Sequence, residues 1–170
     1  MRIRSVLALP LLLAAAINAS FAVNALPKEL EGVITKLSKS LTDGYAGYYS
    51  GGATAVEFTD SPWRKAKAGA VVLFYMSGWG GGNTNTQILA VFAKNEGGID
   101  ERPVPLYRLV AFVEAGEKGR RLVELKGVEG GVINLVSHNY ASNDPLCCPS
   151  RESTVQFTLN ETGLKELGAK

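Results

Sequence analysis

Apolar residues recur at helical spacing near the start of the chain. Within Pro27–Leu41, four of them fall on one face of a helix: Leu30, Ile34, Leu37 and Leu41. Pro27 suits a first helical turn, because a proline there sacrifices no helical hydrogen bond. Thr42-Asp43-Gly44 follows with turn-forming residues. The pattern predicts a short amphipathic helix at the N-terminal side of the domain.

After this helix, β-branched, aromatic and aliphatic residues come in short runs broken by Gly, Asn, Asp and Pro, which is typical of strands. The runs are Ala53–Thr59, Ala70–Met76, Gln87–Ala93, Leu106–Glu114, Arg121–Leu125, Gly131–Asn139 and Thr154–Leu159. The connections are too short for crossover helices, so the sheet is predicted to be mainly antiparallel. The tail Glu161–Lys170 is a candidate for a short C-terminal helix. The expected fold class is α+β.

Two of the runs are apolar without alternation. Val71–Tyr75 and Ile88–Phe92 contain no charged residue, so they are expected to be central strands covered on both faces. Glu129-Gly130-Gly131 lies between two other runs and predicts a tight hairpin.

The first 22 residues have the layout of a secretory signal peptide. Arg2 and Arg4 precede the apolar run Val6–Ile17, and Ser20-Phe21-Ala22 places small residues before a cut. The apolar run is shorter than the ~20 residues of a membrane-spanning helix. We therefore expect residues 1–22 to be a signal peptide and residues 23–170 to form one β-rich domain, periplasmic or secreted and not inserted in a membrane.

The charge balance excludes one class of partner. Loss of Arg2 and Arg4 reduces 18 basic residues to 16, which equals the number of acidic residues. A chain without net charge lacks the field that steers nucleic acid, so no nucleic-acid binding is expected.

A glycine-rich segment joins the two central runs and holds Trp79. It contains Gly80, Gly81 and Asn83, but it lacks the lysine and the following helix of a phosphate-binding loop. One interpretation is that the loop presents Trp79 to a partner, since tryptophan is enriched at binding surfaces. The alternative is that Trp79 folds back onto the sheet. The second tryptophan, Trp63, stands in a basic turn that is interpreted as a solvated loop.

The only two cysteines of the chain are adjacent, at Cys147 and Cys148 between two prolines. In an exported protein, cysteines are normally oxidised. Three states stay open: a vicinal disulfide, a disulfide between two chains, and free thiols. The usual redox motif spaces its cysteines by two residues, and this pair does not.

The single histidine, His138, excludes a histidine-rich metal site, and the sequence predicts no metal or cofactor. Two roles for His138 remain. It is either a packed or hydrogen-bonded structural residue, joined to Asp144 through a turn, or the base that activates Cys147 or Cys148.

These features resemble a family of exported bacterial proteins of unknown function. The resemblance rests on the apolar strand Val71–Tyr75, the glycine-rich loop, the strand Leu89-Ala90-Val91-Phe92, His138, and the motif Asp-Pro-x-Cys-Cys-Pro-Ser that begins at Asp144. It spans roughly residues 41–159. It implies an exported, single-domain, β-rich protein and supplies no catalytic residues.

The sequence favours a non-enzymatic binding module with a protein partner, through the Trp79 loop and the Cys147–Cys148 turn. One specific form is an inhibitor of a cell-wall-degrading enzyme such as lysozyme. The alternatives are a thiol-dependent enzyme or redox sensor that uses Cys147 and Cys148, and a structural component of the envelope.

Overall fold

A computed structural model describes residues 26–41, 53–77, 85–95 and 106–168. These residues form one helix and eight strands: α1 Lys28–Leu41, β1 Thr54–Phe58, β2 Gly69–Ser77, β3 Asn85–Lys94, β4 Tyr107–Glu117, β5 Arg121–Glu129, β6 Val132–Asn139, β7 Arg151–Asn160 and β8 Gly163–Leu167. None of the helices described is long and apolar enough to cross a membrane. The predicted signal peptide lies outside the described residues.

The eight strands form a single sheet in chain order, and every strand is antiparallel to its neighbours. The prediction of a mainly antiparallel sheet is confirmed. So is the tight hairpin, in which Glu129 pairs with Val132 across Gly130 and Gly131. Both glycines have positive φ, 55° and 81°, and a two-residue turn of this kind matches the twist of the strands it joins.

The centre of the sheet is buried on both faces, as the two continuous apolar runs predicted. In β2, Val71 and Leu73 belong to one core and Val72 and Phe74 to the other, because successive side chains of a strand point to opposite faces. The second core is completed by α1, whose Leu30 and Ile34 are fully buried. The helix predicted at Pro27–Leu41 therefore packs on the face of the sheet that holds the second core, and it contacts β4 there.

The first core is closed by the sheet itself. It holds residues of β1 to β3 together with Val123, Leu125, Ile133 and Phe157 from the later strands. β5 contacts β1 and β2, and β4 contacts β8. The first and second halves of the sheet thus pack against each other, and the turn between β4 and β5 is the corner at which the chain passes from one half to the other.

β4 and β5 pair over a short length at this corner. Among the described residues, their register pair is Glu117 opposite Arg121. Register shifts opposite β3 give β4 an irregular ladder at two places, and such bulges bend the strand that carries them. Beyond the corner, the buried amide of Gln87 in β3 bonds to the backbone of Val123 in β5.

The prediction of a C-terminal helix at Glu161–Lys170 is wrong. Asn160 Oδ1 accepts hydrogen bonds from the backbone of Thr162 and Gly163, at 2.9 and 3.0 Å, and so closes a turn. The chain returns as β8, and Leu164 packs against the first core. The partial burial of this leucine and the Asn160 turn together replace the expected helix with an edge strand.

The interpretation of the Trp63 segment as a solvated loop is also wrong at its centre. Trp63 is 5% exposed, and its indole Nε1 donates a hydrogen bond of 2.8 Å to the carbonyl of Gly131. Its ring meets Phe58 edge to face, with centroids 5.1 Å apart. The tryptophan ties the segment before β2 to the β5–β6 hairpin, while Arg64 and Lys65 beside it are exposed.

Candidate functional site

Residues 140–150, here called the disulfide turn, connect β6 to β7. The sulfurs of Cys147 and Cys148 lie at disulfide distance from each other. The Cys148 N–H donates to the carbonyl of Pro145 at 2.9 Å, which closes a four-residue turn with Leu146 and Cys147 at its centre. Tyr140 Oη donates to the carbonyl of Leu146, also at 2.9 Å. The close approach of the two sulfurs and two hydrogen bonds thus restrain the backbone at Leu146.

Asp144 fastens the two ends of this turn together. Its Oδ2 accepts hydrogen bonds from the Ala141 N–H at 2.7 Å, the Ser150 N–H at 2.8 Å and the Ser150 hydroxyl at 2.9 Å. The hydrogen bonds from Ala141 and Ser150 stabilise the carboxylate and hold the pKa of Asp144 below its usual value of 3.8. Asp144 is therefore a structural clamp of the disulfide turn.

Leu146 projects from the tip of this turn with 64% of its surface exposed. A Cβ at Gly119 would lie 3.4 Å from Leu146 Cδ2, so the leucine side chain rests beside the β4–β5 turn. A backbone hydrogen bond also joins the disulfide turn to the β4–β5 turn: the Tyr140 N–H donates to the carbonyl of Arg120 at 3.2 Å. The result is a large apolar side chain held outward on a restrained backbone.

Three exposed cations belong to the segments that meet at this tip: Lys118, Arg120 and Arg151. Lys118 and Arg120 flank Gly119 in the β4–β5 turn, and Arg151 begins β7 directly after the disulfide turn. The carboxylate of Asp144, the acid within the turn, accepts three internal hydrogen bonds and also interacts electrostatically with Arg151. We call this surface, Leu146 with the three cations, the Leu146 surface.

The ring nitrogens of His138 face carboxylates and not the cysteine sulfurs. Its Nε2 is 3.2 Å from Glu124 Oε1 in β5, and its Nδ1 is 4.0 Å from Glu152 Oε2 in β7. Asp144 and the two cysteines bond to neither ring nitrogen. The structure therefore brings Asp144 together with the Cys147–Cys148 turn and places His138 on a separate patch with two carboxylates.

This patch continues across β5. Lys126 Nζ donates to Glu124 Oε2 at 2.7 Å. The pKa of Glu124 is lowered by Lys126 and, to a lesser degree, by His138. Burial, with a contribution from the charge of Glu124, raises the pKa of the Tyr75 hydroxyl in β2. The sequence did not indicate that Tyr75 lies near Glu124 and Lys126, because Tyr75 is far from them in the chain and the three residues form no motif.

Metal binding finds no support in the described parts of the chain, where no three His, Cys, Asp or Glu side chains are grouped to hold an ion. The predicted binding residues Trp79, Gly80, Gly81 and Asn83 lie outside the described residues, so the role of that loop stays a prediction. Leu146 was missed, because a single leucine between a proline and a cysteine carries no periodic signal.

Comparison of the chain with protein-family models, with curated proteins and with solved structures found no match.

Proposed function

We propose that this protein is an exported, non-enzymatic binding module that engages a protein partner through the Leu146 surface. The observation that carries the proposal is the 64% exposure of Leu146 on a turn closed by adjacent cysteines at disulfide distance. Export is proposed from the signal-peptide layout of residues 1–22.

Restraint of the backbone supports a binding role. A loop that is already fixed loses little conformational freedom when it binds, and this lowers the cost of association. Three independent restraints act here: the Cys147–Cys148 ring, the hydrogen bond from Tyr140 and the clamp of Asp144. Leu146 is more exposed than the other large apolar side chains that are exposed in the described part of the chain, and an apolar anchor in a partner's pocket is a common arrangement at an interface.

The charges around Leu146 indicate the chemistry of the partner. Lys118, Arg120 and Arg151 are exposed in the segments next to the apolar tip, so we expect the complementary surface to be an apolar pocket with carboxylates at its rim. Charge complementarity of this kind mainly accelerates association and weakens with salt. We expect the partner to bind faster at low ionic strength.

The inhibitor hypothesis is a specific form of this proposal. Glycoside hydrolases hydrolyse their substrates with a pair of carboxylates in a cleft, and a basic turn with a protruding leucine is suited to such a cleft. Lysozymes of several types, assayed on cell walls with the protein at high micromolar concentration, test this form. An absence of inhibition across all types would reject the inhibitor hypothesis. It would not reject the binding module, which affinity capture tests.

The thiol-enzyme alternative has less support. A nucleophilic cysteine needs a base within hydrogen-bonding reach, and the imidazole of His138 bonds instead to Glu124. Alkylation of the freshly isolated protein without reductant, followed by intact mass measurement, separates the two ideas. Two adducts on the untreated protein would favour the enzyme; an unmodified monomer mass agrees with a closed Cys147–Cys148 ring.

Affinity capture tests the binding module itself. Protein beginning at Val23 would be immobilised and exposed to envelope extract of the source organism, alongside Leu146→Asp and the matched variant Leu167→Asp. Leu167 is 41% exposed on β8 and serves as the control. We expect one partner to be retained by the wild type and by Leu167→Asp and lost with Leu146→Asp. Equal capture by all three would refute the Leu146 surface, and Trp79→Ala would then test the glycine-rich loop.

A further inference from the structure

The two cysteines of the disulfide turn lie at the surface. Cys147 and Cys148 are both exposed, with their sulfurs at disulfide distance, and neither belongs to a hydrophobic core. Thiol–disulfide exchange begins when a thiolate attacks a disulfide sulfur, so its rate depends on access to that sulfur. The exposure of both residues gives an external thiol this access.

The spacing of the two cysteines favours reduction of the bond between them. Their Cα atoms are 3.8 Å apart, which is the distance that a trans peptide sets for neighbouring residues. Disulfides usually join Cα atoms about 4.4–6.8 Å apart, and bonds outside the usual geometry are more easily reduced. Exposed disulfides of this kind are the labile and regulatory ones, whereas ordinary structural disulfides resist reduction.

The ends of the turn are anchored without the sulfurs. Asp144 Oδ2 accepts hydrogen bonds from Ala141 on one side of the cysteines and from Ser150 on the other. Strands β6 and β7 stay paired as far as Asn139 opposite Arg151. Opening the ring therefore leaves the sheet and the clamp intact and confines the change to residues 145–149.

Leu146 lies inside this released segment, directly before the ring. With the ring open, the hydrogen bonds that remain at the tip are those from the Cys148 N–H to Pro145 and from Tyr140 Oη to Leu146. Hydrogen bonds that compete with water add only modestly to the stability of a conformation. The backbone at Leu146 then samples more conformations than it does with the ring closed.

We propose that Cys147 and Cys148 form a site of reversible thiol–disulfide exchange, at which an external dithiol opens the ring and frees the backbone of Leu146. One thiolate of the dithiol attacks a cysteine sulfur and forms a mixed disulfide, while the other cysteine leaves as a thiolate and takes up a proton. The second thiol of the dithiol then displaces the remaining cysteine. The ring gains two electrons and two protons, and the dithiol is released as its own disulfide.

This exchange differs from the chemistry of a thiol enzyme. The attacking thiolate comes from the reductant, so neither His138 nor another base of this chain is needed. The consequence for binding rests on the proposed function: a flexible Leu146 pays more to become ordered at an interface, which weakens the complex. Reduction would thus switch off the Leu146 surface, and the oxidising conditions outside the cytosol would keep it active.

A redox titration tests the exchange itself. The protein would be equilibrated in buffers of reduced and oxidised dithiothreitol beside a reference protein with one buried disulfide, trapped with N-ethylmaleimide and weighed intact. We expect two adducts on this chain in buffers that leave the reference protein unmodified, and none after excess oxidised dithiothreitol is added back. Reduction together with the reference or after it, or two adducts in fully oxidised buffer, would overturn the proposal.

NMR spectra of the ¹⁵N-labelled protein locate the structural change. On reduction, the amide of Leu146 should shift and its ¹H–¹⁵N heteronuclear NOE should fall, while the amides of Ala141 and Ser150 keep their positions. The double substitution Cys147→Ser with Cys148→Ser should show the same low NOE at Leu146 in every buffer. An unchanged NOE at Leu146, or loss of the dispersed signals of the sheet, would also reject the proposal.

Capture from envelope extract separates this inference from the proposed function. The oxidised protein, the reduced protein and the double serine variant would be immobilised side by side. We expect the oxidised form to retain several-fold more of the partner than the other two. Equal retention by all three would reject redox control of binding. Retention by none would reject the proposed function, and the exchange site would then be judged by the titration and the spectra.

Discussion

The side-chain amide of Gln87 replaces a neighbouring strand for Val123. Its Nε2 donates to the Val123 carbonyl at 2.7 Å and its Oε1 accepts from the Val123 N–H at 2.6 Å. Gln87 is fully buried, and β4, the neighbour of β5 in the sheet, pairs with it at Glu117 and Arg121, before Val123 is reached. One glutamine thus joins the two halves of the sheet where their backbone ladder ends.

Gln87→Ala should therefore be strongly destabilising. The substitution leaves the Val123 N–H and C=O without partners in a buried place, and each such group costs about 1–3 kcal/mol. We expect the free energy of unfolding to fall by roughly 2–5 kcal/mol in urea denaturation. Gln156→Ala is the control, because Gln156 bonds to Asn134 on the exposed face of the sheet, and there the change should stay within about 0.5 kcal/mol. Similar losses for both variants would contradict this role of Gln87.

Gly116 should not accept a side chain. A Cβ there would lie 2.3 Å from Gln87 Oε1 and 3.0 Å from the carbonyl of Arg121, so it would displace the amide that bridges the halves. Gly116→Ala should cost about 1–3 kcal/mol, as overpacking of a core does. Gly127→Ala meets no atom within 4 Å and should be neutral or slightly stabilising. Thermal unfolding of both variants decides this, and equal melting temperatures would refute the steric argument.

The Asp144 clamp should titrate at unusually low pH. Hydrogen bonds from Ala141 and Ser150 depress its pKa in the folded protein, so its contribution to the turn is present above pH 3.8 and is lost as the pH falls through the lower folded value. A ¹³C NMR titration of the carboxyl groups should give Asp144 a pKa below 3.8, and the amide signals of Ala141 and Ser150 should follow the same curve. A pKa at or above 3.8 would show that the clamp is absent in solution.

Opening the cysteine ring should affect binding more than folding. The closed loop spans two residues, and the loss of chain entropy associated with so small a loop amounts to about 1 kcal/mol. The double substitution Cys147→Ser with Cys148→Ser should therefore keep the β-sheet, as judged by circular dichroism, with a small decrease in Tm. It should weaken capture of the partner, because Leu146 loses one restraint. Undiminished capture would mean that the ring does not support the Leu146 surface.

Much of the fold could be predicted because it depends on local patterns. The uninterrupted apolar runs of β2 and β3 indicated burial on both faces, and Gly130-Gly131 indicated a hairpin. The C-terminal strand could not be predicted in this way, since β8 exists because Asn160 turns the chain and Leu164 finds the first core. Trp63 was misjudged for the same reason: its partner Gly131 is 68 residues away in the chain.

The candidate site was predictable only in part. Two adjacent cysteines between prolines marked the disulfide turn, and Asp144 was singled out beside them. The clamp of Asp144 on Ala141 and Ser150, the support of Leu146 by Tyr140, and the separation of His138 from the sulfurs depend on how β6 and β7 bring distant segments together. No periodicity or residue spacing in the sequence indicates these contacts.

Under the proposed function, Leu146 enters a pocket of a protein partner. Photo-crosslinking in living cells of the source organism measures this directly, with p-benzoylphenylalanine placed at position 146 in one strain and at position 167 in another. We predict one discrete crosslinked species from position 146, diminished by salt and absent from position 167. If both positions give the same diffuse products, or none, Leu146 does not contact a specific partner and the binding function proposed for this surface is wrong.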